Sequence, residues 1–151
     1  MRKFLGTFPI YSSGTNDSVK EEARKRFNAW KGGDHAALPP SLRRVVFGIV
    51  LSEADASDED YNAVLATSKS SQSADAKEIA LAAIGDVTSP RLIQKTIDLI
   101  FSDEILAQDI HGPCNSLSAN PKTRNRWWEE MQKNWRFVPP LKQHIDTQYH
   151  L

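Results

Sequence analysis

The sequence contains the stretch SPRLIQKTIDLIF at residues 89–101. Ser89 followed by Pro90 is typical of a helix start, because serine caps free amide groups and proline fits the first helical position. The less polar side chains then recur every three or four residues, which places them on one face of a helix. These side chains are Leu92, Ile93, Thr96, Ile97, Ile100 and Phe101. The stretch therefore predicts an amphipathic helix that must bury one face against a neighbour.

The same start and stop signals recur along the chain. Helix starts are predicted wherever a capping residue or a proline pair precedes an apolar pattern, at Asn16 or Asp17, Pro39-Pro40, Ser57, Ser73 and Asn120. Glycines predict helix ends at Gly32-Gly33 and Gly85. We expect a shorter helix from Ser102 through Ile110 and another within 114–117, separated by His111-Gly112-Pro113.

A repeat is visible in these signals. Ser57, Ser89 and Asn120 follow one another at about 31 to 32 residues, a spacing typical of stacked helix pairs. One pair cannot bury its apolar face alone, so neighbouring pairs must stack. No segment alternates with the period of two that a half-buried strand requires. The sequence therefore predicts an all-α fold of stacked antiparallel helix pairs.

Composition narrows the class of protein. The chain has 151 residues, 19 Lys and Arg against 19 Asp and Glu, and one Cys. This length fits one domain, and the balanced charge does not favour nucleic-acid binding. A single cysteine excludes an internal disulfide framework, and no apolar run reaches the roughly 20 residues of a membrane span. We expect a cytoplasmic protein that binds neither membranes nor nucleic acid.

Catalytic motifs are missing from the sequence. The four histidines form no H-E-x-x-H pattern, so no zinc ligands are predicted. Cys114 stands beside an apolar segment and is expected to be a small buried residue rather than a nucleophile. Trp127, Trp128 and Trp135 lie among basic residues, yet their helical spacing favours core packing over base stacking. No catalytic residue is predicted.

Several segments, taken in order, resemble the C-terminal helical domain of the puromycin-sensitive-type zinc aminopeptidases. The resemblance runs from about residue 17 to about residue 136 and depends on the order and spacing of its segments. They are Glu22-Ala23-x-x-x-Phe27-x-x-Trp30, Leu38-Pro39-Pro40-Ser41-Leu42-Arg43-x-Val45-Val46-Phe47, Tyr61-x-x-Val64-Leu65, Lys77-x-x-x-Leu81-x-x-Ile84-Gly85, Ser89-Pro90-x-Leu92-Ile93, Gln108-Asp109, Asn120-Pro121-x-x-Arg124-x-x-x-Trp128 and Asn134-Trp135.

The resemblance implies an armadillo/HEAT-like α-solenoid that closes over a separate catalytic domain and shapes the peptide cavity. Zinc belongs to that other domain, so no cofactor is implied for this chain, and it is expected to be inactive alone. The implied organisation is an irregular lead over 1–16, a helical-repeat domain over 17–136 and a divergent C-terminal segment over 137–151. The partners implied are the catalytic domain of an aminopeptidase or a peptide substrate.

The resemblance also suggests which residues border the cavity. They are Arg43, Gln108, Asp109 and Arg124. For Gln108, Asp109 and Arg124 the simpler role is local capping or an ion pair that fixes the turn, and for Arg43 it is packing of the side-chain stem on a neighbouring helix. The alternative function is an α-solenoid module for protein interaction, with self-association through an exposed end of the stack near the tryptophan-bearing helix. Trp30, Trp128 and Trp135 are assigned to the core between helices.

Overall fold

Seven α-helices make up most of residues 16–134, the part of the chain that the computed structural model describes. They are α1 (Asp17–Lys31), α2 (Pro40–Ser52), α3 (Asp58–Ser70), α4 (Ala74–Ile84), α5 (Pro90–Ile100), α6 (His111–Ala119) and α7 (Arg124–Asn134). Short 3₁₀ helices at His35–Ala37 and Ala107–Asp109 lie in two of the connections. The prediction of an all-α fold is confirmed over this range. Most of the predicted lead and the whole segment 137–151 lie outside it.

Side-chain caps begin four helices at the predicted residues. Asn16, Ser57, Ser73 and Ser89 each accept a hydrogen bond from a backbone N–H of the first helical turn. Such a bond satisfies a donor that has no partner within the helix. Asn120 works in the same way, since its Oδ1 accepts from the Lys122 N–H at 2.9 Å, although regular α7 begins only at Arg124. Hydrogen bonds between residues close in sequence therefore determine where these helices begin.

The predicted helix from Ser102 through Ile110 is wrong. Ser102 Oγ donates to the Leu99 carbonyl at 2.8 Å and accepts from the Glu104 N–H at 3.2 Å, which closes a turn instead of starting a helix. The His111-Gly112-Pro113 interruption is also wrong, because α6 begins at His111 and contains Pro113 in its first turn. Proline is tolerated there, since the amide that it lacks has no carbonyl partner within the helix.

The core runs through all seven helices. Its largest fully buried side chains include Tyr61, Phe27 and Phe47. Two apolar residues of these helices, Val19 and Val45, are exposed. Val19 lies one turn before Ala23, the first buried residue of α1, and Val45 precedes the fully buried stretch of α2.

The helices form two rows. In one row, α2 lies against α4 and α4 lies against α6, with closely approaching backbones. In the other row, α1, α3, α5 and α7 meet mainly through long side chains, for example Lys95 of α5 with Asp58 of α3 at 3.0 Å. Chain-adjacent helices pack between the rows, as α1 does on α2 and α3 does on α4. The row of even-numbered helices is therefore the tighter one.

Gly85, at the end of α4, permits the closest approach within the tight row. A Cβ atom at Gly85 would lie 2.6 Å from Ser116 Cβ and 2.7 Å from the Pro113 carbonyl oxygen of α6. Its φ of −81° and ψ of −10° suit any residue, so the requirement for glycine comes from packing alone. The α4–α6 contact thus depends on a missing side chain.

We expect Gly85→Ala to lower the free energy of unfolding by about 1–3 kcal/mol, because the methyl group forces α6 away from α4. Urea denaturation measures the change. Gly32→Ala is the matched control, since that glycine also ends a helix with a negative φ and its Cβ would lie 3.3 Å from the nearest atom. Equal stability of Gly85→Ala and the unmodified protein would contradict the close packing of α4 and α6.

Candidate functional site

A groove lies between the first halves of α4 and α6. It has a volume of about 390 Å³ and is lined by Ala74, Lys77, Glu78, Leu81, Gln108, Asp109, His111 and Gly112. The α6 backbone can approach α4 because Gly112 has no side chain; a Cβ there would lie 3.0 Å from the Ala82 nitrogen. The 3₁₀ turn before α6 then places Gln108 and Asp109 opposite α4. Charged and amide side chains from two helices therefore converge at this rim of the tight row.

The structure brings together two of the four residues predicted to border a cavity. Gln108 and Asp109 line the α4–α6 groove, whereas Arg43 and Arg124 do not. Arg43 is half-buried on α2, and its Nε donates to the Leu38 carbonyl at 3.4 Å. Arg124 is the exposed first residue of α7, and its backbone N–H donates to the Asn120 carbonyl at 3.0 Å. The Arg43 side chain therefore has a local backbone partner, whereas the Arg124 contact is the ordinary backbone hydrogen bond of a first helical turn.

A larger groove, of about 760 Å³, separates α3 from α5. Its lining combines apolar side chains with a rim of charges, namely Tyr61, Asn62, Leu65, Ala66, Lys69, Arg91, Gln94, Lys95, Asp98, Leu99, Ser102 and Glu104. Sequence reasoning missed this groove. Of these residues, Tyr61 and Leu65 were in the family segments and Leu99 was close to the α5 stripe, but the charged rim gave no signal in the sequence.

Lys95 and Tyr61 organise one end of the α3–α5 groove. Lys95 Nζ lies 5.0 Å from the Tyr61 ring centroid and donates to Asp58 Oδ1 at 3.0 Å and to Asn62 Oδ1 at 2.9 Å. Burial raises the pKa of Tyr61 to about 12, and its hydroxyl is 3.1 Å from Thr96 Oγ1. Tyr61 therefore stays neutral and supplies a ring face rather than an acid or a base.

A cluster of four charges ties α1 to α3. Asp60 accepts from Arg24 Nη1 and from Lys31 Nζ, each at 2.6 Å, and Arg24 also donates from Nε to Glu53 at 3.0 Å. Burial alone would raise the pKa of Asp60, but the hydrogen bonds from Lys31 and Arg24 outweigh it and hold the pKa below its ordinary value. The cluster is structural, since its carboxylates are already paired with cations.

Nucleophiles and metal ligands are sparse in the described chain. Cys114 is buried, as predicted, and burial raises the pKa of its thiol to about 12, which suppresses the reactive thiolate. Within residues 16–134, no group of three or more His, Cys, Asp or Glu side chains could hold a metal ion. The donor set that zinc prefers is therefore not offered by this part of the chain, and no chemical step is assigned to it.

The tryptophans divide between core and surface. Trp30 is buried, as predicted, but the assignment of Trp128 to the core is wrong, since 62% of it is exposed. The neighbouring Trp127 is buried instead, with its ring 6.0 Å from that of Phe101. Adjacent residues of a helix point about 100° apart, so only one of the pair can face the core. Trp135 lies outside the described residues.

These features define a class of protein: over residues 16–134 it is an all-α domain of helices stacked in two rows, with grooves on its surface. In residues 16–134, no helix combines the length and apolarity needed to cross a membrane. The sequence profile of the ERAP1-like C-terminal domain matches residues 10–143. The chain belongs to this family, and it is a C-terminal domain of an M1-type aminopeptidase.

Curated aminopeptidases align with most of the chain. It is 29% identical over 117 residues to the mitochondrial Aminopeptidase 2 of Saccharomyces cerevisiae. The aligned region covers 78% of this chain and 12% of that protein. It is 25% identical over 128 residues to the Alanine/arginine aminopeptidase of the same yeast, covering 85% of this chain and 15% of the relative. Aminopeptidase M1 of Arabidopsis thaliana is 25% identical over 125 residues, covering 82% and 14%. The chain thus spans only a small part of these relatives' length.

Proposed function

We propose that this chain shapes the peptide cavity of a zinc aminopeptidase and closes over the catalytic domain, without catalysing hydrolysis itself. The observation that carries the proposal is the family match over residues 10–143. The charged and amide groups at the α4–α6 groove support it, because they suit a surface that faces peptide. The partners proposed are the catalytic domain and the peptide, and the compartment proposed is the cytoplasm.

The proposed architecture is an armadillo/HEAT-like α-solenoid whose concave side carries α2, α4 and α6. Curvature of a stack follows from unequal spacing of its two rows, and the more closely spaced row must lie on the inside. Gly85 and Gly112 allow that close spacing between α4 and α6. The open groove between α3 and α5 supports a wider spacing in the other row. Concave surfaces of this kind suit extended peptides.

In this arrangement, Gln108 and Asp109 border the peptide cavity. They lie at the groove of the tight row beside Lys77 and Glu78, so both donors and acceptors are available to a peptide backbone. Arg43 and Arg124 remain proposed cavity residues outside this groove. The Arg43 side chain donates to the Leu38 carbonyl, and Arg124 is exposed at the start of α7.

The pure chain is expected to release no fluorophore from an aminoacyl fluorogenic substrate, with or without added zinc. The reason is that no zinc-binding group is present in residues 16–134. A complete zinc aminopeptidase assayed in the same plate serves as the positive control. Zinc-dependent turnover that is removed by a chelator and survives repurification would overturn the proposal of a domain without catalysis.

The second candidate function is a protein-interaction module, and the exposed Trp128 favours it. Arg126 binds Gln94 of α5, and Trp128 is turned about 200° away from Arg126 around α7. Trp128 thus points away from α5, toward the side of α7 that no described helix covers. A large exposed aromatic side chain is typical of interface anchors.

We expect the chain to self-associate through Trp128, as seen in sedimentation velocity at increasing protein concentration. Trp128→Gln removes the apolar contact and should weaken the dimer by about tenfold or more, a typical loss for a central aromatic anchor. Val45→Gln, which changes another exposed apolar residue, is the control. A strictly monomeric protein at all concentrations would argue against this interface.

A further inference from the structure

Positively and negatively charged side chains lie at opposite ends of the groove between α3 and α5. At the end where both helices begin, Arg91 and Lys95 face one acid, Asp58, which contacts both. At the other end, Lys69 Nζ is 2.8 Å from Glu104, and Asp98 accepts a hydrogen bond from Gln94 Nε2 at 2.8 Å. Among the residues that line the groove, counted together with Asp58, the first end has one more positive than negative charge and the second end has one more negative than positive charge.

The floor between these ends is apolar. Leu65 and Leu99 lie beneath the gap, and the exposed Ala66 leaves room above them because its side chain is a single methyl group. The pairing of Asp58 with Lys95 at one end and of Lys69 with Glu104 at the other shows that α3 and α5 run in the same direction. The side-chain ridge of a third helix can pack into the groove between two parallel helices.

We propose that this groove docks an amphipathic helix of a partner protein, through an acidic and a basic side chain on either side of an apolar one. Charge complementarity carries the proposal: the acid meets Arg91 and Lys95, and the base meets Asp98 and Glu104. Arg91 and Asp98 are seven residues apart on α5, which is about 10 Å along the helix axis. The partner's acid and base are therefore also two helical turns apart, with a leucine-sized side chain between them over Leu65 and Leu99.

This site is distinct from the proposed peptide cavity. The groove belongs to the row of α1, α3, α5 and α7, whereas Gln108 and Asp109 lie on the tight row of α4 and α6. Arg91 is well suited to a second carboxylate, since 61% of its side chain remains exposed while it contacts Asp58. The partner helix thus binds the row of helices opposite to the one that carries the proposed peptide cavity.

The test uses a fluorescein-labelled, capped, alanine-rich helical peptide of about 15 residues, long enough to hold helix. It has one glutamate and one lysine seven residues apart and one leucine between them on the same helix face. Fluorescence anisotropy with the full chain should show saturable binding. Ala66→Arg fills the groove at an exposed helical position and should weaken binding by about tenfold, which is the loss of one good contact. Asn28→Arg, an exposed position on α1 outside the groove, should bind as the unmodified chain does.

A charge exchange makes the test specific. Asp98→Lys should reverse the preference, so that a peptide with glutamate in place of its lysine binds about threefold better than the original peptide, as expected of a rim charge pair. Absence of saturable binding up to about 1 mM would overturn the proposal. So would equal binding by Ala66→Arg and the unmodified chain, or an unchanged peptide preference in Asp98→Lys. Circular dichroism confirms that each variant remains helical.

Discussion

Phe47→Ala should lower the free energy of unfolding by about 3–5 kcal/mol, the usual cost of deleting a fully buried aromatic ring. The Phe47 ring on α2 is edge-on to Phe27 at 5.9 Å and lies 4.9 Å from the Trp30 ring, both on α1. Aromatic pairs in this geometry add to the stabilisation that burial alone provides. The substitution leaves a cavity at the α1–α2 contact, which the rigid rings around it cannot close.

Urea denaturation followed by circular dichroism measures this loss. Val45→Ala, on the same helix but exposed, should change the free energy of unfolding by about 0.5 kcal/mol or less. A similar small loss for Phe47→Ala would contradict the packing of α1 on α2. An unfolded Phe47→Ala chain would agree with it, and Phe47→Leu, which retains most of the buried volume, then gives the measurable value.

Helix starts could be predicted because their cause is local. Ser57, Ser73 and Ser89 accept hydrogen bonds from backbone groups only three residues further along the chain. A capping residue beside an apolar pattern is thus sufficient information. The repeat of such starts also predicted stacked helices, since the apolar face of one pair has to be covered by the next.

Other features could not be predicted because their cause is distant in sequence. The sequence alone does not distinguish Trp127 from Trp128. The position of α5, with Phe101 against Trp127, decides which of the two side chains is buried. The α4–α6 groove exists because Gly112 reaches Ala82, thirty residues away along the chain. Gln108 and Asp109 were found through the family resemblance, since no local pattern marks them.

The α3–α5 groove illustrates the same limit in its charges. Lys95 meets Asp58 and Lys69 meets Glu104 across separations of more than thirty residues. In the sequence, these side chains resemble any solvent-exposed charges of amphipathic helices. Only the wider spacing of the odd-numbered row turns them into the two ends of one groove.

The cluster around Asp60 combines long-range charge pairing with burial. Only 6% of the Asp60 side chain is exposed, and it holds Arg24 and Lys31 of α1 at 2.6 Å each. Removing one member of a buried ion pair leaves the remaining charges without a partner. Arg24 and Lys31 keep 27% and 33% of their side chains exposed, so water partly compensates them.

Asp60→Asn should therefore lower the free energy of unfolding at neutral pH by about 2–3 kcal/mol, below the 3–5 kcal/mol of a fully buried pair. Glu22→Gln, which breaks the exposed pair with Arg26, is the control and should cost about 0.5 kcal/mol.

The pH dependence separates the charge of Asp60 from its shape. Its pKa in the folded protein lies below the ordinary value, so its contribution is complete above the pKa of the unfolded chain, about 3.9, and is lost as the pH falls through the folded pKa. The unmodified protein should accordingly lose more stability than Asp60→Asn when urea denaturation is repeated below about pH 4. Parallel loss of stability in the two proteins would mean that Asp60 holds α1 to α3 by hydrogen-bond geometry and not by its charge. With the expected difference, the carboxylate is an electrostatic tie between α1 and α3, the first two helices of the wider row, where close backbone packing is not available to hold them.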